Sequence, residues 1–245
     1  MRIVLLRVGA DYGTTQTYGP IFKDGRYEFL PIPDRFHGTG VSKQTYNNTT
    51  GHYGCKLIDY FPQNLRLKYG TQPIHYDPEF CSFTYGDPTT PKAGLRNLSF
   101  GDILVFYAGL KAWNFKASNA LYIIGYFRVR WSGIASYMYN LLGWKKLKSY
   151  AGNNFHIYHK QVFKEQIERL VIVKGHETES KQLERAVKIS AMGKDRNGRP
   201  LFILSSKMQK IFGNFDGHVS LQRSPPRWVL PRYSELAERF LLSLK

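Results

Sequence analysis

Acidic side chains are scarce in this chain: 18 Asp and Glu stand against 35 Lys and Arg over 245 residues, a formal net charge of +17. A globular protein with that imbalance ordinarily meets a polyanion. Cysteine is scarcer still. Cys55 and Cys81 are the two in the chain, and neither belongs to a CxxC, which excludes a zinc finger and argues against a disulfide scaffold. There is no GK[ST] and no GxGxxG, so neither a Walker loop nor a dinucleotide fingerprint is present. No apolar run reaches spanning length; Leu121 to Tyr126 is followed directly by Arg128 and Arg130. The opening MRIVLLRVGADYG is too short and too soon interrupted for a signal peptide. The expectation is a soluble, cytoplasmic protein with no membrane partner. Internal repeats and domain linkers are lacking too, so residues 1–245 are expected to form a single domain, long enough to bury a sizeable core.

Aromatic residues, by contrast, are plentiful, with 17 Tyr and 16 Phe among the cations. Aromatic faces stack on exposed bases while Lys and Arg neutralise phosphates, so nucleic acid, DNA or RNA, is the expected partner.

Along the chain, Arg2 to Val8 reads as a first strand, and Pro20 to Leu30 as a hairpin turning on Asp24-Gly25. Residues 35–54 are polar, glycine-rich and aperiodic, a long loop within the domain. Leu57 to Leu67 suggests a short helix or turn. Ile103 to Ala108 is a continuous apolar run, hence a strand buried on both faces or against a helix. Leu121 to Trp131 reads as a long strand and Ile134 to Tyr150 as a helix. His156 and Tyr158 are read on one face of an extended edge over Asn153 to Lys160. Glu168 to Lys174 is a strand, and Ser180 to Ile189 is amphipathic with Leu183, Ala186 and Val187 at helical spacing. Leu201 to Leu204 is a further strand. Ser205-Ser206 caps a helix from Lys207 to Phe212 that Gly213 stops, and Ser234 caps a last helix running to Leu244. Strands and helices mix without a βαβ repeat, which predicts an α+β domain around a mixed, largely antiparallel sheet with flanking helices and long loops.

The stretch Ile74 to Asp87, IHYDPEFCSFTYGD, places His75, Asp77 and Glu79 at alternate positions. In an extended backbone these share one face. Pro78 biases Asp77 away from helix. The plain reading is a turn begun by Asp-Pro; the functional one is an imidazole and two carboxylates on one patch. Asp11 closes the first strand and opens a polar loop of Gly and Thr able to approach a phosphate or a base.

Several of these segments resemble the nucleotide modification associated domain 3 family. The resemblance rests on Arg7 through Gly13, Gly19-Pro20-Ile21, Asp24-Gly25 and Leu30-Pro31-Ile32-Pro33-Asp34. It continues in His75-x-Asp77-Pro78, in Gly101-Asp102 before Leu104-Val-Phe-Tyr, and in Arg223 with Trp228-Val-Leu230-Pro231. It runs in order along nearly the whole chain and implies association with modification of nucleic-acid bases. The basic middle, Arg128 to Lys174, and the Asn-Thr-rich stretch depart from the pattern.

Three functions compete. The first is a base-modifying enzyme, a transferase or a glycosidic-bond enzyme with a possible small-molecule donor. Asp11, His75 and Asp77, with Glu79 as a further carboxylate, would be its acid/base groups, because a carboxylate orients a His ring and supports its protonated form. The second is a metal enzyme in which His75-x-Asp77 joins a distant His, His156 or His159, as in non-haem iron sites. The many regular strands of a jelly roll are not visible, and the cofactor is left open with no metal assigned. The third is a non-catalytic reader of a modified or unpaired nucleotide, favoured if the carboxylates are bound up in salt bridges away from the basic surface. Candidate nucleic-acid contacts are Arg7, Lys43, Arg128, Arg130, Lys145, Lys146, Lys148, His156 and Arg223, together with the base-reading amides Asn153 and Asn154.

Overall fold

The computed structural model describes residues 1–34 and 43–245. In chain order the strands are β1 (Ile3–Val8), β2 (Gly19–Ile21), β3 (Ile32–Pro33), β4 (Ile74–His75), β5 (Thr84–Asp87), β6 (Ile103–Ala112), β7 (Ala120–Ile134), β8 (Val171–Gly175), β9 (Lys181–Lys188), β10 (Ser190–Lys194), β11 (Pro200–Leu204) and β12 (Arg227–Trp228). The helices are α1 (Gln63–Tyr69), α2 (Ala135–Ala151), α3 (Phe155–Tyr158), α4 (Lys160–Gln166), α5 (Ser206–Phe212) and α6 (Ser234–Leu242). The fold is the expected α+β class. Among the described residues no helix is long and apolar enough to cross a membrane.

The main sheet runs β12-β1-β6-β7-β8-β5, with β2 added beside β6 and β9 beside β7. Among the described residues, only β1 and β2 pair with β6 in parallel; the other pairings of this sheet are antiparallel. β1 and β6 are apolar at successive positions because both faces of the sheet are covered. Ile3, Leu5, Ile103, Val105 and Tyr107 face a core closed by Met208 and Phe212 of α5 and Leu241 of α6. Val4, Leu6, Leu104 and Phe106 face an opposite core with Tyr85, Phe127 and Leu95. Strand alternation divides one apolar run between two layers.

Beyond the end of β1, the Ala10 amide bonds the Leu30 carbonyl at 2.8 Å, and two residues on Ile32 pairs with His75. A smaller core under β3 and β4 joins Ala10, Leu30, Tyr46, Leu57 and Ile74. A fourth cluster packs α2, α3 and α4 onto Leu170 and Ile172. The expected loop at 35–54 falls partly outside the described residues; from Lys43 onward it is held by bridges Thr45↔Pro73 and Thr50↔Lys56.

Three expectations are corrected, the first being that Ser234 does not cap the last helix but is its first residue, after Tyr233. The segment read as an amphipathic helix over Ser180 to Ile189 is strand β9, antiparallel to β7. A register shift between Ile123 and Gly125 interrupts that ladder. Leu183 and Val187 pack on one core while Ala186 packs on the other, and in sequence the spacing of the three looks helical. The segment read as extended at Asn153 to Lys160 turns instead into α3, because the Asn154 side chain accepts from the His156 amide as an N-cap.

α5 is capped as expected, Ser205 accepting from the Met208 amide. α2 is broken at Gly143, whose φ of 69° and ψ of 167° no helix contains. Trp228 pairs with Val4 at the edge of the sheet and packs, partly buried, on the Val4–Phe106 core. Trp228→Ala is expected to lower the unfolding free energy by about 3 kcal/mol, the low end for an aromatic truncation because burial is partial. Chemical denaturation with unchanged far-UV circular dichroism checks this; a wild-type midpoint would assign Trp228 to the surface.

Candidate active site

The site starts from a buried carboxylate. Asp77 is 7 % exposed, and a carboxylate without partners at that depth would not stay ionised. Four groups converge on it. The Gly86 amide of β5 donates to Asp77 Oδ1 at 3.1 Å, and the Asn154 Nδ2 donates to the same oxygen at 3.2 Å. The other oxygen, Oδ2, lies 2.6 Å from His75 Nε2 and 3.1 Å from His156 Nε2. Both rings are buried.

Each partner is delivered by a local feature. His75 sits on β4, registered by Ile32 opposite. Asn154 is fully buried and performs two tasks: its Oδ1 caps α3 through the His156 amide at 3.1 Å, and its Nδ2 holds Asp77. The cap therefore fixes where His156 points. Gly86 is required by space: a Cβ there would come within 2.8 Å of both Asn154 Oδ1 and His156 Cδ2. Gln166, the last residue of α4, places Oε1 at 2.7 Å from His156 Nδ1, which therefore donates. The His75 ring stacks on Phe155 with centroids 4.1 Å apart, and its edge meets the His156 ring at 4.7 Å.

Electrostatics divide the three groups. Burial opposes ionisation of Asp77, but the His75 charge, the His156 hydrogen bond and the His75 hydrogen bond together outweigh it and hold the carboxyl at about 2. Burial lowers the affinity of His75 for a proton more than Asp77 restores it. For His156 burial acts the same way, but the hydrogen bond and charge of Asp77, with Gln166, overcome it and raise the ring above its ordinary value. The two imidazoles are thus pushed in opposite directions around one carboxylate.

The other candidates have partners of their own or stay exposed. Glu79, expected on the face of His75 and Asp77, instead accepts from the Cys81 and Ser82 amides and the Ser82 hydroxyl, closing its own turn. Asp11 is buried and paired with Arg223 at 2.8 Å and Arg7 at 3.4 Å. Those two arginines, read as nucleic-acid contacts, thus meet a carboxylate of their own chain. Arg128 is tied to Glu238 at 2.6 Å, Glu179 at 3.5 Å and the Gly101 carbonyl at 3.0 Å. Arg130, Lys145, Lys146 and Lys148 are exposed, as is Lys43. Arg130 and Lys174 both lie over the Tyr150 ring, at 5.9 and 5.5 Å, and Lys148 lies over Tyr158 at 5.8 Å.

His156, read from sequence as a strand-edge contact and, as an alternative to His159, as the distant His of a metal site, lies with His75 and Asp77, and Asn154, read as a base reader, is their internal support. Gly86 carried no sequence signal beyond an ordinary turn glycine, and Gln166 carried none. Two open pockets flank this region. One, of about 630 Å³, is lined by Cys81, Ser82, Lys146, Ser149, Tyr150 and Lys174. The other, of about 710 Å³, includes Thr89, Arg96, Gln166 and Arg169.

Replacing Asn154 removes a helix cap and leaves Asp77 Oδ1 with one partner. Asn154→Ala is therefore expected to destabilise the fold by about 2 kcal/mol, near 1 from the cap and the rest from the buried carboxylate. Denaturant unfolding measures it, and a loss below a few tenths of a kcal/mol would mean the amide is not the support described.

Comparison with curated proteins and with solved structures finds no match. The geometry thus stands beside one family-level finding, a family model that matches residues 2–237. With nearly the whole chain covered, from β1 into α6, the protein belongs to the nucleotide modification associated domain 3 family.

Proposed function

We propose that this chain is an enzyme that modifies a base in DNA or RNA, with His75, Asp77 and His156 as its reaction centre. The observation that carries the reading is the Asp77 carboxylate. It is buried and held ionised, and its charge is met by imidazoles rather than by Arg or Lys. An Arg–carboxylate pair is electrostatically finished, whereas a His–carboxylate–His cluster can still exchange a proton or another cation. Asp11, neutralised by Arg7 and Arg223, is assigned instead to fixing the loop after β1, where it also accepts from the Thr14 amide at 3.1 Å.

The strand is held by the exposed cations of β7 and α2, Arg130, Lys145, Lys146 and Lys148. Tyr150, in the pocket with Lys146 and Lys174, offers a ring for base stacking. The pocket that contains Gln166 is the place for a small-molecule donor, since Gln166 connects it to His156. Family membership supports nucleotide modification in general.

A non-catalytic reader is the second reading, and the Arg7–Asp11–Arg223 pairing favours it, because that carboxylate is bound up as a reader's would be. Asp77 separates the two. Asp77→Asn is expected to retain nucleic-acid affinity and abolish modification, scored by mass spectrometry of nucleosides from cells carrying the wild-type gene, the variant or neither. A nucleoside profile unaffected by the gene would leave the reader.

Nucleic-acid affinity is expected to fall about tenfold or more over a fourfold rise in salt, since several phosphates are neutralised. Lys145→Glu/Lys146→Glu/Lys148→Glu should flatten that slope in a filter-binding titration. An unchanged slope would move the interface off α2.

A further inference from the structure

We propose that His75 Nε2, Asp77 Oδ2 and His156 Nε2 bind one first-row divalent transition-metal cation. The inference rests on the preceding reading in taking this cluster as the reaction centre, and it names the ligand that the centre takes.

Three observations converge. The first is placement. One ligand atom from each of the three residues lies within 4.8 Å of the other two, and all three residues are buried. Bonds of about 2.1 Å to imidazole nitrogen and carboxylate oxygen put neighbouring ligand atoms about 3 to 3.5 Å apart. The separations of 2.6 and 3.1 Å from Asp77 Oδ2 need to change by tenths of an ångström to fit, and the two imidazole nitrogens, within 4.8 Å of each other, need to close toward that same spacing.

The second is the outer support. A ligating His ordinarily donates its other ring nitrogen to a fixed acceptor, and a ligating carboxylate is hydrogen-bonded on its free oxygen. His156 Nδ1 meets Gln166 Oε1 at 2.7 Å, which leaves Nε2 as the ligating lone pair. Asp77 Oδ1 is held by Gly86 and Asn154, which leaves Oδ2 as the single ligating oxygen. The supports thus occupy the other polar atom of each of these two ligands.

The third is donor chemistry. Two imidazoles and one carboxylate suit Fe(II), Co(II) or Zn(II) and suit Mg(II) or Ca(II) poorly. Three protein ligands leave coordination positions open for water or substrate, unlike a closed structural site. His75 keeps 11 % of its side chain accessible, so the cluster lies at the rim of the buried region rather than at its centre. A network of hydrogen bonds alone would also place both rings on Oδ2, and cation affinity is the quantity that separates the two.

The test uses the full chain, stripped with chelator and titrated with cobalt(II) chloride, read by visible absorption and by calorimetry. One equivalent is expected to bind. His75→Gln, Asp77→Asn and His156→Gln should each weaken binding by a hundredfold or more. Gln166→Leu, which leaves every ligand in place, should weaken it about tenfold through loss of orientation. Lys210→Ala, at an exposed position on α5, should bind as wild type does. Absence of saturable one-to-one binding by the folded wild-type chain overturns the proposal, as does equal affinity in folded Asp77→Asn and His156→Gln. A wild-type chain that binds no cobalt but changes cellular nucleosides in an Asp77-dependent way sinks the metal and keeps the enzyme. One that binds cobalt at these residues yet leaves nucleosides unchanged keeps the metal site and removes base modification.

Discussion

A negative charge below the surface must be answered by its surroundings, and in this protein the answer is distributed. Asp77 draws on β4 for His75, on β5 for the Gly86 amide, on the cap of α3 for Asn154 and on α3 itself for His156. None of these segments is large: β4 has two residues and α3 has four. Short elements of this kind have little stability of their own. Their mutual placement follows from packing on the main sheet, through Tyr85 and Ile172, and from the polar partners that the carboxylate demands.

The cationic surface is a separate matter from the charge at the centre. Of the arginines and lysines singled out from sequence, Arg7, Arg128 and Arg223 are bound to carboxylates of the same chain. Those on α2 and the end of β7 are exposed. Long-range attraction of a polyanion depends on the net charge, which is large, while contact depends on cations that are not already paired. The break at Gly143 matters here, since it turns the Trp144–Tyr150 segment with its lysines relative to the first half of α2.

Much of the sheet was legible in the sequence. β1 and β6 are apolar runs that read as buried strands, β7 reads as a long strand, and Ser205 and Gly213 bound α5 by themselves. β9 was not legible, because Leu183, Ala186 and Val187 stand at helical spacing in sequence although strand alternation divides them between two cores. The site was half legible. His75-x-Asp77 is visible as a pattern, and a distant His was expected for a metal centre, but nothing local distinguishes His156 from His159. That choice is made by the Asn154 cap, whose amide is equally plausible in sequence as a base reader. Glu79 was misplaced because alternation holds only while the backbone stays extended, and β4 ends at His75.

The separation of the partners along the chain has a further consequence. His156 meets Asp77 across 79 residues, and Gln166 lies ten residues further on. Between them run β5 to β7 and α2, so the loop that must close to bring the groups together is itself a folded half of the sheet. During synthesis the Asp77 carboxylate emerges long before either His156 or Gln166, and until then it requires water. The pocket that buries it can close only after α4 has been made, which denies the complete centre to any fragment ending before Gln166.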